Sequence, residues 1–174
     1  MSDVETNKKG SIKIRPAVEE DIKDIEELWK ELMDFHSKRD EYFTRGENGH
    51  KVWGKRIAEK LKSRHSNNIT VAVAGRKVVG YCWSLIAEYL PVFDRDYYGF
   101  IVDLSVTADY RHKGVGKKLV NNAIHWFRVR GIERIEVTVA VKNEVSTKFW
   151  RKMGFNPYKE IMFYDDRATD FFEI

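Results

Sequence analysis

Cysteine and proline are scarce in this sequence, and glutamine is absent. The only cysteine, Cys82, excludes an internal disulfide and indicates a chain suited to a reducing compartment. Cys82 lies in the apolar run VVGYCWSLI, where we expect it to be a buried packing residue and not a nucleophile. No apolar run is long enough to cross a membrane, and no secretory signal precedes the first predicted element. These absences predict a cytoplasmic protein with no membrane partner.

The composition predicts one folded domain. The 174 residues are 43% hydrophobic, enough to build a complete core. Residues 1–10 are polar and predict a disordered tail, so the domain is expected over residues 11–174. The net charge of +4 is mild and does not gather into a basic tract, which argues against a dedicated nucleic-acid binder. The five histidines lack the spacing of metal ligands, so no metal site is predicted.

Apolar periodicity predicts an α/β domain. Helical spacing of apolar residues predicts four helices, over about 22–33, 50–64, 115–131 and 143–154. Alternating or continuous apolar stretches predict strands at 12–15, 69–74, 78–88, 99–106 and 135–141, with a last extended segment at 158–164. No repeat or linker divides the chain. The final segment 165–174 either packs back on the domain or meets a second subunit.

The stretch IVDLSVTADYRHKGVG, residues 101–116, is the most informative part of the sequence. An apolar strand is followed by a short polar link and then by Arg111-His112-Lys113-Gly114-Val115-Gly116, which opens a helix. Backbone N–H groups converge at such a junction and the helix dipole adds to their field, so the segment predicts a phosphate site. A P-loop requires Ser or Thr where Lys118 stands, and the dinucleotide fingerprint requires a third glycine where Leu119 stands.

The remaining pattern, Arg-x-x-Gly-x-Gly, resembles the pyrophosphate loop of the GNAT N-acetyltransferase family, which binds acetyl-coenzyme A (acetyl-CoA). The segment NEVSTKFWRKMGF, residues 143–155, resembles that family's last helix, Asn-x-x-Ala/Ser-x-x-Phe-Tyr-x-x-x-Gly-Phe. The resemblance covers about residues 12–164 and is strongest over 101–155. It implies the GNAT fold, a mixed central sheet of six to seven strands flanked by about four helices.

The resemblance also implies where acetyl-CoA would lie. Backbone groups of the strand before the loop would pair with the pantetheine arm, the loop amides would receive the pyrophosphate, and Arg111 would brace the loop. Asn143 would bind pantetheine or act as a helix N-cap, and Ser146 would lie nearby or serve close packing. The implied cofactor-binding residues are Leu104, Ser105, Val106, Arg111, His112, Lys113, Gly114, Val115, Gly116, Lys117, Asn143, Ser146 and Trp150.

Two positions depart from the family pattern. Trp150 stands where many relatives have a tyrosine that protonates the leaving thiolate. Another residue, with Tyr158 as the candidate, or a water would then supply the proton, or the thiolate would leave unassisted. Val102 stands where some relatives have a glutamate base. Asp103 and Glu88 are therefore the candidate bases, either one acting through a water, with a structural hydrogen-bonding role as the alternative for Asp103.

The implied activity is transfer of an acetyl group from acetyl-CoA to a primary amine of a small molecule, polyamine, peptide or protein, with both substrates bound together. Acidic and aromatic residues in 34–43 and 88–98 would attract a cationic amine, or form a solvated rim. Two other functions stay open: an acyl-CoA-binding module without catalysis, and a small basic nucleic-acid-binding protein. By analogy with the family, a homodimer is expected.

Overall fold

The computed structural model describes residues 11–164, which form a mixed sheet with helices on both faces. The strands are β1 (Lys13–Pro16), β2 (Asn67–Ala74), β3 (Lys77–Glu88), β4 (Tyr97–Val106) and β5 (Ile135–Val137). The helices are α1 (Ile22–Ser37), α2 (Gly49–Leu61), α3 (Val115–Arg128) and α4 (Glu144–Lys152). The sheet order is β1-β2-β3-β4-β5, with β1 to β4 antiparallel and β5 parallel to β4.

The sheet is covered on both faces, which explains why β3 is apolar almost throughout. On one face, α3 and α4 pack through residues such as Leu119, Phe127 and Trp150. On the other face, α1 and α2 pack through residues such as Ile25 and Ile57. The helix spacing predicted from the sequence thus corresponds to two separate cores, one on each side of the sheet.

A β-bulge interrupts β4 in the middle of the sheet. Trp83 of β3 pairs with Asp103, but the next residue, Ser84, pairs with Ile101, so Val102 is an extra residue in β4. Strict alternation would put Asp103 on the same face as Ile101, which lies in the α3 core. The bulge instead turns Asp103 toward the α1/α2 face, where it meets Tyr81.

The strands β4 and β5 separate directly beyond this bulge. Their parallel register runs from Gly99 opposite Ile135 to Ile101 opposite Val137 and continues no further in the described chain. A bulge bends its strand and increases the twist, so β4 leaves the direction of β5 at this point. Residues 102–106 consequently present, toward the β5 side, a backbone edge that no strand within residues 11–164 pairs with; we call it the unpaired edge of β4.

The sheet has five strands in the described residues, which corrects the expected six to seven. The predicted strand over 135–141 ends at Val137 because β4 has bent away. The extended segment 158–164 is not assigned to a strand, since no described strand edge pairs with it. The predictions for residues 1–10 and 165–174 lie outside the described residues. Within residues 11–164, no helix is both long and apolar enough for a transmembrane span.

Candidate active site

The loop between β4 and α3 has the backbone geometry of an anion site. His112 and Gly114 both have positive φ angles, of 59° and 78°, and Gly114 is the N-cap residue of α3. The amide of Lys118 donates to the Gly114 carbonyl at 3.1 Å, which begins the helical hydrogen-bond series. The amides of residues 115–117 therefore precede that series at the positive end of the helix dipole. Here the chain can receive a diphosphate through its main chain.

Arg111 ties this loop to β4 and to α1. Its Nε donates to the Val106 carbonyl at 2.9 Å, and its Nη2 lies 2.8 Å from Glu31 Oε1. The same Glu31 oxygen accepts the amide of Ala108 at 2.9 Å. The guanidinium also lies over the Phe35 ring, 5.2 Å from its centre. These contacts fix the entry to the loop from β4 and from α1, and a groove of about 540 Å³ opens on the α1 side of Arg111.

The predicted pantetheine strand lies along the unpaired edge of β4. Leu104 and Val106 pack against the α3 core. Ser105 is buried on the opposite face, and its hydroxyl donates to the Leu28 carbonyl of α1 at 3.0 Å. The side chains of these three residues are therefore committed to packing, and what they present toward β5 is main chain.

The α4 residues predicted for cofactor binding are held by internal contacts. Asn143 is buried and caps α4, with its Oδ1 accepting the Ser146 amide at 3.1 Å. Its Nδ2 lies 3.3 Å from Nε2 of His36, at the end of α1. Ser146 is half-buried, and Trp150 is buried between Phe149 and Phe155. Capping is thus one role of Asn143, and contact of these residues with a cofactor stays a prediction.

Asp103 is the one candidate base that lies next to the split between β4 and β5. Its Oδ2 accepts a short hydrogen bond from the hydroxyl of Tyr81, which is fully buried. Asp103 itself is half-buried. This burial raises the pKa of Asp103 to about 6, while the hydrogen bonds from Tyr81 and the Leu104 amide act in the opposite direction. The carboxylate is ionised at neutral pH and can still accept a proton.

The structure does not bring Glu88 or Tyr158 to Asp103. Glu88 is an exposed residue at the far end of β3, five residues beyond the partner of Asp103, or about 17 Å along the strand. The Tyr158 hydroxyl donates to Glu136 at 2.7 Å, on β5 opposite Phe100. That hydrogen bond raises the pKa of Tyr158, which makes the phenol a weaker acid.

Two acids of the expected acceptor region have basic partners. Asp34 pairs with Arg45 at 2.7 Å, and Asp40 lies 3.3 Å from Lys142. Their pairing reduces the negative field that was expected to attract a cationic amine. Asp103, in contrast, is held by the neutral Tyr81 hydroxyl.

Cys82 is buried, as its apolar surroundings in the sequence predicted. Cys82 is fully buried, and burial raises its pKa to about 12, so the thiol stays protonated and unreactive at neutral pH. Within residues 11–164, no group of three His, Cys, Asp or Glu side chains could hold a metal ion.

Four residues at this site were missed by sequence reasoning: Glu31, His36, Trp53 and Tyr81. Glu31 and Trp53 have the appearance of ordinary helix-face residues in the sequence. The period-2 pattern of β3 does place Tyr81 on the same face as Trp83, and this was the available signal. Its hydrogen bond to Asp103 depends on the β4 bulge, which the sequence pattern does not reveal.

Comparisons with known proteins agree with this geometry. The model of the acetyltransferase (GNAT) family matches residues 22–155. An uncharacterised N-acetyltransferase of Methanocaldococcus jannaschii is 26% identical over 150 residues, which are 86% of this chain and 62% of that protein. N-alpha-acetyltransferase 30 of Schizosaccharomyces pombe is 31% identical over 74 residues, 42% of this chain and 49% of that protein. The chain thus spans less than two thirds of these relatives.

A solved structure of an aminoglycoside N-acetyltransferase in complex with CoA has the same fold. The two structures match with a TM-score of 0.72 and a sequence identity of 20%, and the match covers 94% of this chain and 99% of that one. The family model covers well over half of the sequence, and the chain belongs to the GNAT acetyltransferase family.

Proposed function

We propose that this protein transfers an acetyl group from acetyl-CoA to a primary amine while both substrates are bound. The observation that carries the proposal is the loop at His112 and Gly114, whose left-handed backbone leaves the first amides of α3 open beside the unpaired edge of β4. The relatives named as N-acetyltransferases and the CoA-bound structure with this fold support it. A reducing cytoplasm, which a single buried cysteine fits, is the proposed compartment.

The cofactor side of the site is assigned to main-chain groups. In this proposal the amides of residues 112–117 bind the diphosphate, the basic side chains of Lys113 and Lys117 add positive charge around it, and Arg111, paired with Glu31, braces the loop. Backbone groups of residues 104–106 pair with the pantetheine arm, and α4 borders it through Asn143, Ser146 and Trp150. Acetyl-CoA itself supplies a reactive thioester. The protein aligns the two reactants and polarises the thioester carbonyl.

Asp103 is proposed as the base that takes the proton of the attacking amine. It lies on the α1/α2 face of β4, across the strand from the pantetheine edge, and the carboxylate retains proton affinity near neutral pH. Glu88, the other candidate base, lies about 17 Å further along the sheet, and Tyr158, the candidate acid, donates its hydroxyl to Glu136 on β5. No described side chain is assigned to the leaving thiolate, because the indole of Trp150 is too weak an acid.

The acceptor class is a primary amine, of either a small molecule or a peptide. The S. pombe relative is named an N-alpha-acetyltransferase and the CoA-bound structure an aminoglycoside N-acetyltransferase, so each class has a relative in its favour. A panel of peptides with free N-termini, lysine peptides, polyamines and aminoglycosides tests this proposal, with thiol release from acetyl-CoA as the readout. We expect at least one acceptor to release thiol, and D103N to slow that release while CoA still protects the protein against heat. E88Q is the matched control and should retain the rate.

The second candidate function is an acyl-CoA-binding module without catalysis, which the departures at Val102 and Trp150 favour. CoA protection without thiol release across the whole panel would support this module and refute the enzyme.

We also propose that the protein forms a homodimer. Ile161, Met162 and Phe163 are 74–89% exposed. Within residues 11–164 their segment has no strand partner, and β5 is the last strand of the sheet. Exposed apolar side chains and an uncovered sheet edge each favour pairing with a second chain. Sedimentation equilibrium would show a dimer, and I161K/F163K should dissociate it; a monomer at high concentration would contradict the proposal.

A further inference from the structure

Three side chains from three elements form one hydrogen-bond chain that ends on Asp103. The indole Nε1 of Trp53, on α2, donates to the hydroxyl of Tyr81 at 3.1 Å. That hydroxyl, on β3, donates in turn to Asp103 on β4. Tyr81 is fully buried, so its hydroxyl relies on these two protein partners.

The direction of this chain is fixed by chemistry. An indole N–H can only donate, so it occupies an acceptor position of the Tyr81 oxygen. The single hydroxyl proton is then left for the Asp103 carboxylate. Trp53 is itself held in place, because it stacks on Trp29 with ring centres 5.5 Å apart and meets the edge of Trp83 at 5.3 Å. Helix α1, helix α2 and strand β3 thus jointly orient one hydroxyl toward one carboxylate.

We infer that Tyr81, oriented by Trp53, is a positioning residue that holds the Asp103 carboxylate on the α1/α2 face of β4 and keeps it ionised near neutral pH. The catalytic meaning of this inference rests on the proposed function. The hydrogen-bond chain itself does not, because it can be measured in the protein without turnover.

The surroundings of Asp103 make Tyr81 the partner that matters most. Burial raises the pKa of Asp103 to about 6, and the Tyr81 hydrogen bond is the largest opposing influence. The pKa of Tyr81 lies well above its usual value, and that of the adjacent Cys82 is about 12, so both stay neutral between pH 4 and 9. One charged group approaches from α2. The Arg56 guanidinium lies 5.6 Å from the centre of the Trp83 ring, and Trp83 is the cross-strand neighbour of Asp103. Removing the Tyr81 hydroxyl should therefore raise the pKa of Asp103 further.

The test compares the variants Y81F and W53F with the control Y89F. Y89F removes a hydroxyl that lies 3.5 Å from Glu136 and takes no part in the Trp53–Tyr81–Asp103 hydrogen bonds. The carboxyl carbons of ¹³C-aspartate-labelled protein are titrated by NMR, and D103N identifies the resonance of Asp103. We expect that resonance to titrate about one unit higher in Y81F and to shift in the same direction, but less, in W53F. Y89F should titrate like the wild type.

Turnover gives a second readout that a merely structural role would not produce. A rise of about one unit in the pKa of Asp103, from about 6 to about 7, lowers the ionised fraction of this carboxyl group about fivefold at pH 6 and leaves it almost unchanged at pH 8.5. For Y81F we therefore expect kcat/KM to fall about fivefold at pH 6 and to recover at pH 8.5, whereas damage to the fold would reduce it at both.

The outcomes separate this inference from the proposed function. An Asp103 resonance that titrates at the wild-type pH in both Y81F and W53F overturns the inference, whatever the activity. If the resonance shifts as expected but wild-type protein acetylates no amine, the hydrogen-bond chain is upheld and the proposed function fails. If Y81F does not fold, the W53F titration decides.

Discussion

Replacing Gly114 with alanine tests the phosphate loop through its backbone alone. Gly114 has a φ angle of 78°, and no atom lies within 4 Å of the position that a Cβ would take. The substitution therefore creates no clash and costs only the left-handed conformation, about 1–2 kcal/mol for a residue with a side chain. For a chain of this size, that cost lowers the melting temperature by roughly 2–8 °C.

The same substitution should weaken CoA binding. G114A can keep its φ angle and store the strain, or it can rotate toward negative φ and lose strain. Rotation at the N-cap turns the following amides of α3 away from the loop, and those amides are the proposed diphosphate ligands. Because this rotation toward negative φ competes with binding, titration calorimetry should show that G114A binds CoA about tenfold more weakly than the wild type. This is a loss of about 1.4 kcal/mol in binding free energy.

Gly75 supplies the matched control. It lies in the turn between β2 and β3 with a φ angle of 61°, and it also has no atom within 4 Å of a Cβ position. G75A should lose a similar amount of stability by the same mechanism but bind CoA like the wild type. Equal CoA affinity in G114A and G75A would refute the assignment of the diphosphate to this loop.

Two further predictions concern stability. The folded pKa of Asp103, about 6, lies above its unfolded value near 4, so the native state binds more protons between these values and the wild type loses stability as pH rises through 6. Between pH 4 and 7.5 the free energy of unfolding of the wild type should fall by about 2 kcal/mol more than that of D103N. Urea unfolding at both pH values measures this difference, and the same pH dependence in the two proteins would contradict the prediction. A Cβ at Gly99 would lie 2.6 Å from the buried Phe127 ring, so G99A should cost about 1–3 kcal/mol by overpacking. The control G46A has no atom within 4 Å, and thermal melts that show equal losses for both variants would exclude this explanation.

The parts of the fold that the sequence predicted are those controlled by local chemistry. The four helices follow from apolar spacing, and the long central strands follow from continuous apolar runs. The conformation of the β4–α3 junction follows from glycines that tolerate positive φ, as Gly114 shows. Asn143 was weighed as an N-cap from its residue type alone, and it caps α4 in the structure.

The parts that were not predictable depend on residues far apart in the chain. Arg111 and Glu31 are 80 residues apart, and neither sequence neighbourhood indicates the other. The short β5 and the missing sixth strand reflect the path of β4 and the lack of a described partner edge, not the β-propensity of residues 138–141 or 158–164. Of the two candidate bases, Asp103 and Glu88, the structure separates Asp103 by its position beside the bulge.

One extra residue explains how β4 could serve both substrates of the proposed reaction. If β4 ran through Val102 without a bulge, strict alternation would put Ile101 and Asp103 together on the α3 face, and an acid would lie in an apolar core. With the bulge, Asp103 turns to Tyr81 on the other face, and the strand bends away from β5 so that residues 102–106 have a backbone edge that no described strand pairs with. The bulge thus opens the proposed pantetheine edge while Asp103 keeps its place opposite Trp83 on the other face. A deletion of Val102 restores regular alternation with Asp103 still opposite Trp83. It should therefore weaken CoA binding, because β4 no longer bends away from β5, but retain the Asp103 titration near pH 6; unchanged CoA affinity in the deletion variant would contradict the role of the bulge.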